Sequence, residues 1–355
     1  MSGKITATTG LDYGLARGLY ANDSIGIGRN FSETVTVTGG DAFGLTGRAG
    51  ITIGNNFSGT VTATATNTAS GLHSDNGTIA VVGDLSGKIT ATAKEYYAEA
   101  MSANRIDIGR NLSGTVTAIG NDAFGLIGNT GITIGNNFSG TVTATATNTA
   151  SGLRSENGTI AVVGDLSGKI TAKGIYAEAM SANRVEIGGG ERVGNLSGTI
   201  TATGFQSAWG VAGWYGGVAI AGNLSGTVTA TATDEYGSAV GLFGYYYSSL
   251  SIGGDLSGAV IAKAGYSATG MEFNSIGIGR NLSGKITATS TGTSQGVAMA
   301  MHGYNGISVA GNMTGTITAT SAGDAVGISA DSGIFSIGSR RRLQKPRTWL
   351  NILPG

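Results

Sequence analysis

Cysteine is missing from all 355 residues of the chain. That removes disulfides, thiolate zinc sites and thiol catalysis together. Proline occurs only at 346 and 354, and the 64 glycines follow no three-residue period, so a collagen triple helix is excluded. Charge is scarce: 12% of residues carry it and the formal net charge is zero. Arg340, Arg341, Arg342, Lys345 and Arg347 hold five of the 21 basic residues, leaving a mildly acidic body with no basic footprint for nucleic acid. No apolar run is long enough for a membrane-spanning helix, and no window sustains a 3.6-residue stripe, so helices are not expected. Histidine occurs only at His73 and His302, and no nucleophile–base triad is apparent.

What fills the chain is a phrase. Asn-Leu-Ser-Gly-Thr-Val-Thr-Ala, or a near copy, recurs about every 27 residues. Its anchors are Asn30, Asn56, Asp84, Asn111, Asn137, Asp165, Asn195, Asn223, Asp255, Asn281 and Asn312. A fixed period of this length marks a repeat array, one elongated unit with contacts only between neighbouring repeats. Met1-Ser2-Gly3-Lys4-Ile5-Thr6 enters the phrase one residue late with no apolar leader before it. The expectation is a fragment of a longer exported protein that starts mid-coil.

Within one repeat, Ile51-Thr52-Ile53 alternates apolar and polar until Gly54-Asn55-Asn56 breaks the run. Val61-Thr62-Ala63-Thr64 alternates again after Ser58-Gly59, and Ala69-Ser70-Gly71-Leu72 makes a third segment before Asn76-Gly77. Three period-2 segments with Gly/Asn/Ser punctuation predict three short strands joined by turns. Because every repeat presents the same three sides, each side stacks on its equivalent one coil later. The predicted fold is all-β: a single parallel β-solenoid of roughly triangular section, with about 12 coils of about 27 residues. At about 4.8 Å per coil it is about 58 Å long.

The inward rows follow from comparing repeats. Positions three and five before the anchor are usually Ile or Val, and one after it sits Leu, Phe or Met. Five after it sits Val or Ile, and seven after it Ala, Val37 excepted. Burying four such large side chains contributes about 6–12 kcal/mol per coil, against backbone entropy of about 1–2 kcal/mol per residue. One coil cannot fold alone.

A second period overlies the first. Residues 30–110 reappear at 111–190 with an offset of 81, and Asp84, Asp165 and Asp255 fall three coils apart. Block copying suits a scaffold better than an enzyme, whose site must be unique; His73 itself becomes Arg154 in the copy. No enzyme activity, metal or cofactor is expected. Gly83-Asp-Leu-Ser-Gly87-Lys88-Ile89 is one residue short for a phosphate loop and lacks its Ser/Thr, so it reads as a turn. Eight anchors form Asn-x-Ser/Thr sequons, but their place at one turn of every coil predicts an axial Asn/Asp hydrogen-bond ladder instead of glycosylation.

Three outward features are candidates for function. Pairs such as Thr62/Thr64 and Thr229/Thr231 flank an inward Ala, so stacked coils carry two Thr ranks, interrupted at Ile119, Lys173, Ile261 and Lys263. Such ranks resemble the ice-binding face of some solenoid antifreeze proteins; otherwise Thr simply suits an exposed strand. Aromatics concentrate between Phe205 and Phe273, which hold eleven of the 24. Trp209, Trp214, Tyr215, Tyr245, Tyr246 and Tyr247 are the candidate ligand contacts, through stacking on sugar rings or gripping a protein. The tail 340–355 abandons the repeat for a basic, Pro-containing segment, which reads either as a block on the last coil's edge or as a sequence accident at a truncated gene end.

By its Gly-, Thr- and Asn-rich coils, residues 1–339 resemble the repeat regions of bacterial autotransporter-type and filamentous adhesin-like surface proteins. That resemblance implies export to the bacterial cell surface and a structural or adhesive role, with a glycan or surface protein as partner. A self-assembling fibre, joined end to end through the open coil at Met1, is the nearest alternative, and ice binding the next.

Overall fold

The computed structural model describes residues 3–189, 192–245, 247–292 and 295–338. The chain is a single parallel β-solenoid of about 12 turns spaced about 28 residues apart, 68% strand and without helix among the described residues. One coil consists of strands Thr34–Gly39, Asp41–Gly47 and Gly50–Ile53, here called its first, second and third sides. The next coil repeats them as Thr60–Ala65, Ala69–His73 and Thr78–Val81. Each side pairs in parallel with its copy: Val35 with Val61, Ala42 with Ala69, Ile51 with Ile79. A fourth, one-residue row runs from Phe31 through Phe57, Leu85 and Leu112 to Met313 as ten parallel bridges.

The alternation decides which side chains turn inward. Ile51, Ile53, Phe57, Val61 and Ala63 are all 0% exposed, and their equivalents line the same core coil after coil. Axial stacking puts like on like: the Phe31 and Phe57 rings lie 4.9 Å apart at 15°. The second side adds an inward pair that the anchor-based rows omit, Ala69 and Leu72, with Gly71 between them. A Cβ on Gly71 would come 2.5 Å from Ile89 Cγ2, so the width of the coil leaves no room for a side chain there. Ile5, Ala7, Ile317 and Ala319 in the outermost coils are only partly buried, having a described coil on one side only.

Not every corner interrupts its strand. Lys169–Ile187 and Thr199–Ile220 run continuously through all three sides, with register shifts between Gly174 and Tyr176 and between Ala182 and Arg184. The corner between second and third sides carries a left-handed glycine every third coil, at Gly50, Gly131, Gly217 and Gly306. At Gly217, with φ of 77°, a Cβ would also lie 2.1 Å from the Ser249 carbonyl oxygen. The three-coil period therefore extends past the duplicated segment to the whole described solenoid. The tail 340–355 and Met1 lie outside the described residues.

Candidate ligand-binding face

At the anchor turn, the side-chain oxygen of each Asn or Asp accepts a hydrogen bond from the backbone N–H of the next anchor. Ten such bonds of 2.7–3.2 Å link Asn30 through Asn56, Asp84, Asn111, Asn137, Asp165, Asn195, Asn223, Asp255 and Asn281 to Asn312. Where the acceptor is Asp84, Asp165 or Asp255, the following Asn also donates its amide to the same oxygen. The backbone N–H of Asn281, seconded by its side chain, holds the Asp255 carboxyl below the ordinary carboxylate value. A shallow groove of about 370 Å³ follows this turn past Ser58, Ser86, Ser113 and Ser139. Its anchor oxygens are already committed to the ladder, which makes it a seam of the scaffold.

The first side is equally regular. Its middle outward rank is Thr from Thr6 to Thr318 with Ile261 as the one exception, each in register with the next. Thr90, Thr171 and Thr287 bury their hydroxyls without a partner, and in all three coils a Lys stands two residues earlier, at Lys88, Lys169 and Lys285.

The second side differs. One outward row passes through Arg17, Phe43, Ser70, Glu99, Phe124, Ser151, Glu178 and Trp209 and on to Met299. A bulky residue returns every third coil at Phe43, Phe124, Trp209 and Met299, in the same coils as the left-handed glycines. Between Phe43 and Glu99, and again between Phe124 and Glu178, a serine is covered completely: Ser70 and Ser151 are 0% exposed and their hydroxyls have no partner. The adjacent row runs Tyr20, Thr46, His73, Ser102, Ile127, Arg154, Ser181, Ala212 and Phe243.

Two places on this side gather groups suited to recognition. In coils eight and nine Trp209 meets Trp214 edge to face, ring centroids 5.9 Å apart, and Trp214 meets Phe243 at 5.0 Å. Tyr215 and Tyr245 pair likewise at 6.4 Å. Perpendicular packing of this kind sets the edge of one ring against the face of the next and so fixes both, while Trp209, Trp214 and Phe243 stay partly exposed. Trp214 is fixed further because its indole N–H donates to Ser181 Oγ at 3.0 Å. Tyr215 and Tyr247 project, at 69% and 93% exposure. Of the six aromatic candidates, Trp209, Trp214, Tyr215 and Tyr245 are thus brought together in contacting pairs; Tyr247 stands beside them, and Tyr246 lies outside the described residues. The remaining aromatics of 205–273 divide differently. Phe205, Tyr236 and Tyr266 sit exposed at the corner between first and second sides, and Phe273 is buried in the core.

In coils one to three the same side forms a cleft of about 340 Å³ lined by Arg17, Tyr20, Phe43, Thr46, Arg48, His73 and Asp75. His73 packs edge to face on Phe43 at 5.7 Å. Its Nε2 lies 2.9 Å from Asp75 Oδ1, and its Nδ1 faces Glu99 at 3.7 Å. Burial alone would push the imidazole pKa down, but the Glu99 and Asp75 carboxylates outweigh it and raise the value above the ordinary 6.5. Asp75, bonded by His73 and then by Arg48 at 3.0 Å, is held below the ordinary carboxylate value. The Arg17 guanidinium sits 4.0 Å above the Tyr20 ring and has no carboxylate partner among the described residues. Three coils on, Arg154 takes the place of His73, over Phe124 and 3.5 Å from Glu156. The single-histidine signal in the sequence was visible; its setting was not, because the partners come from three different coils.

Among the described residues no three His, Asp or Glu side chains gather as a metal site, and no helix is long and apolar enough to cross a membrane. No protein-family model, curated protein or solved structure matches the chain.

Proposed function

We propose that this chain is a rigid, non-enzymatic module of an exported bacterial surface protein, and that its second side is an adhesive face. Trp209, Trp214, Tyr215, Phe243 and Tyr245 form the contact patch, for a glycan or for a protein on another surface. The observation that carries this reading is the edge-to-face cluster around Trp214, where Trp209, Trp214 and Phe243 are locked in place yet remain partly exposed. Rigid aromatic anchors give large contact area for little loss of entropy, and such residues dominate binding energy where they occur. Repeat style supports the surface location, and an elongated solenoid is consistent with a rod that holds a binding face away from its attachment.

Ice binding is a second reading, favoured by the in-register Thr rank of the first side. One comparison separates the two. Trp214→Ala with Tyr245→Ala is set beside Thr62→Lys with Thr229→Lys, and each pair is scored for glycan-array and cell binding and for inhibition of ice growth. The adhesive reading expects the aromatic pair alone to abolish glycan or cell binding. Loss of ice-growth inhibition in the Thr pair, with glycan and cell binding absent from the parent chain, would replace it.

A further inference from the structure

We propose that the cleft in coils one to three is a separate binding site for the anionic group of an acidic saccharide, a sugar ring bearing a carboxylate or a sulfate. It adds a site remote from the aromatic patch and rests on the same reading of the second side as a recognition surface.

Charge is the first argument. Arg17, Arg48 and His73 line the cleft with one carboxylate, Asp75, and Glu99 lies 3.7 Å from His73 Nδ1 outside the lining. Asp75 is already engaged by Arg48 and His73, so it positions those two side chains at the wall. Arg17 is left without an acidic partner among the described residues, its guanidinium steadied on Tyr20. A planar guanidinium presented this way is suited to bidentate capture of a carboxylate or sulfate.

A second feature of the cleft is an unmet hydrogen bond. Thr46 lines the cleft at 5% exposure, and its hydroxyl has no partner. A buried hydroxyl without a partner works against folding, and a bound acceptor oxygen removes that penalty. The third is apolar surface: Phe43 and Tyr20 give the cleft two ring walls, which an inorganic ion would leave unused. A space of about 340 Å³ falls within the range of small-molecule sites.

The block repeat supplies an internal control. Three coils along, on an equivalent backbone, Glu99 stands in the row of Arg17, Ser102 in that of Tyr20, and Ile127 in that of Thr46. Asn129, at the offset of 81, replaces Arg48. The scaffold is copied, but the free guanidinium and the orphaned hydroxyl are not.

The test is calorimetric titration of the full chain with trigalacturonate, with a sulfated disaccharide and with neutral maltotriose. At least one acidic ligand is expected to bind, and maltotriose about tenfold more weakly or not at all. Arg17→Gln should weaken acid binding by about tenfold. Thr46→Val should weaken it severalfold while the melting temperature stays level or rises, because the isosteric methyl removes the unsatisfied hydroxyl. Trp214→Ala should leave it within about twofold, since residues this far apart act independently. Preference for the carboxylate or for the sulfate supports the proposal equally and identifies the anion. The proposal is overturned if neither acid binds at about 10 mM, if maltotriose binds as well, or if Arg17→Gln changes nothing. Loss of acid binding in Trp214→Ala would also overturn it, by moving the site to the aromatic patch. Conversely, failure of the aromatic patch with retained acid binding would leave this cleft standing alone.

Discussion

On the first side of the solenoid the middle outward rank is threonine coil after coil, from Thr6 to Thr318, broken only by Ile261. On the second side the equivalent row moves through Arg17, Phe43, Ser70, Glu99 and Trp209. Both rows hang on parallel ladders of the same kind and both back onto the same core. Where the only demand is β-compatibility and solubility, the repeat settles on one residue. Where side chains of successive coils lean on one another, as His73 leans on Phe43, Asp75 and Glu99, the residue depends on its neighbours and the repeat lengthens to three coils. Uniform rows report the scaffold; varied rows report local contacts.

The largest expected effect ignores the difference between the sides. Val142 is 0% exposed and stacked between Val116 and Ile170. Val142→Asp buries a carboxylate with no partner and should lose at least about 3 kcal/mol, fraying adjacent coils as well. Chemical denaturation measures this, and a shift no larger than that of its outward neighbour Thr143→Ser would mean the faces are assigned the wrong way round.

Gly217→Ala probes the corner that separates second from third side. A left-handed backbone and a contact of 2.1 Å act together there, so a cost of about 1–3 kcal/mol is expected in thermal unfolding. An unchanged melting temperature would show that the corner does not need its glycine.

His73 and Arg154 occupy corresponding places, and pH tells them apart. Because the imidazole pKa is raised in the folded state, the contribution of His73 is fully present below the unfolded value of about 6.5 and is lost as pH rises through the folded value. The stability lost in His73→Gln should therefore be greater near pH 5 than near pH 9, whereas Arg154→Gln should show no such step. Above about pH 5 Asp75 stays ionised, since its own value lies below 3.8. Equal losses at both pH values would dissolve the distinction between the two copies.

The smallest effects test whether unsatisfied hydroxyls on the second side are dispensable. Ser151→Ala should lie within about 0.5 kcal/mol of neutral or slightly stabilise, as should Thr143→Ser on the first side. A marked loss in Ser151→Ala would reveal a partner for that hydroxyl.

The solenoid was legible in the sequence because its signals are local. Ile51-Thr52-Ile53 and Val61-Thr62-Ala63 carry the strand period within a few residues, and the anchor asparagines mark each turn. The second side was harder to read. Its inward residues, Ala69 and Leu72, are three apart around a glycine, so strict alternation misses them. The candidate patches were legible only in part. Composition drew attention to Trp209, Trp214, Tyr215 and Tyr245, but the same stretch contributes Phe273 to the core. The cleft escaped because its groups are spread from Arg17 to Asp75 and meet only through axial stacking. Replacement of His73 by Arg154 in the copied block hid a position at which an imidazole or a guanidinium packs on a Phe ring in both.

The anchor ladder has a mechanical consequence. Within one interface between coils, three strand ladders, the one-residue bridge row and one anchor bond run side by side, so they share a pull along the axis. Successive interfaces, by contrast, are linked in series and each bears the whole load. Tension along the rod is therefore limited by its weakest junction: adding coils extends reach without adding strength, and rupture proceeds one coil at a time. A pull across the axis meets covalent backbone around every coil instead. The rod is tough in the direction of its circumference and brittle in the direction of its length.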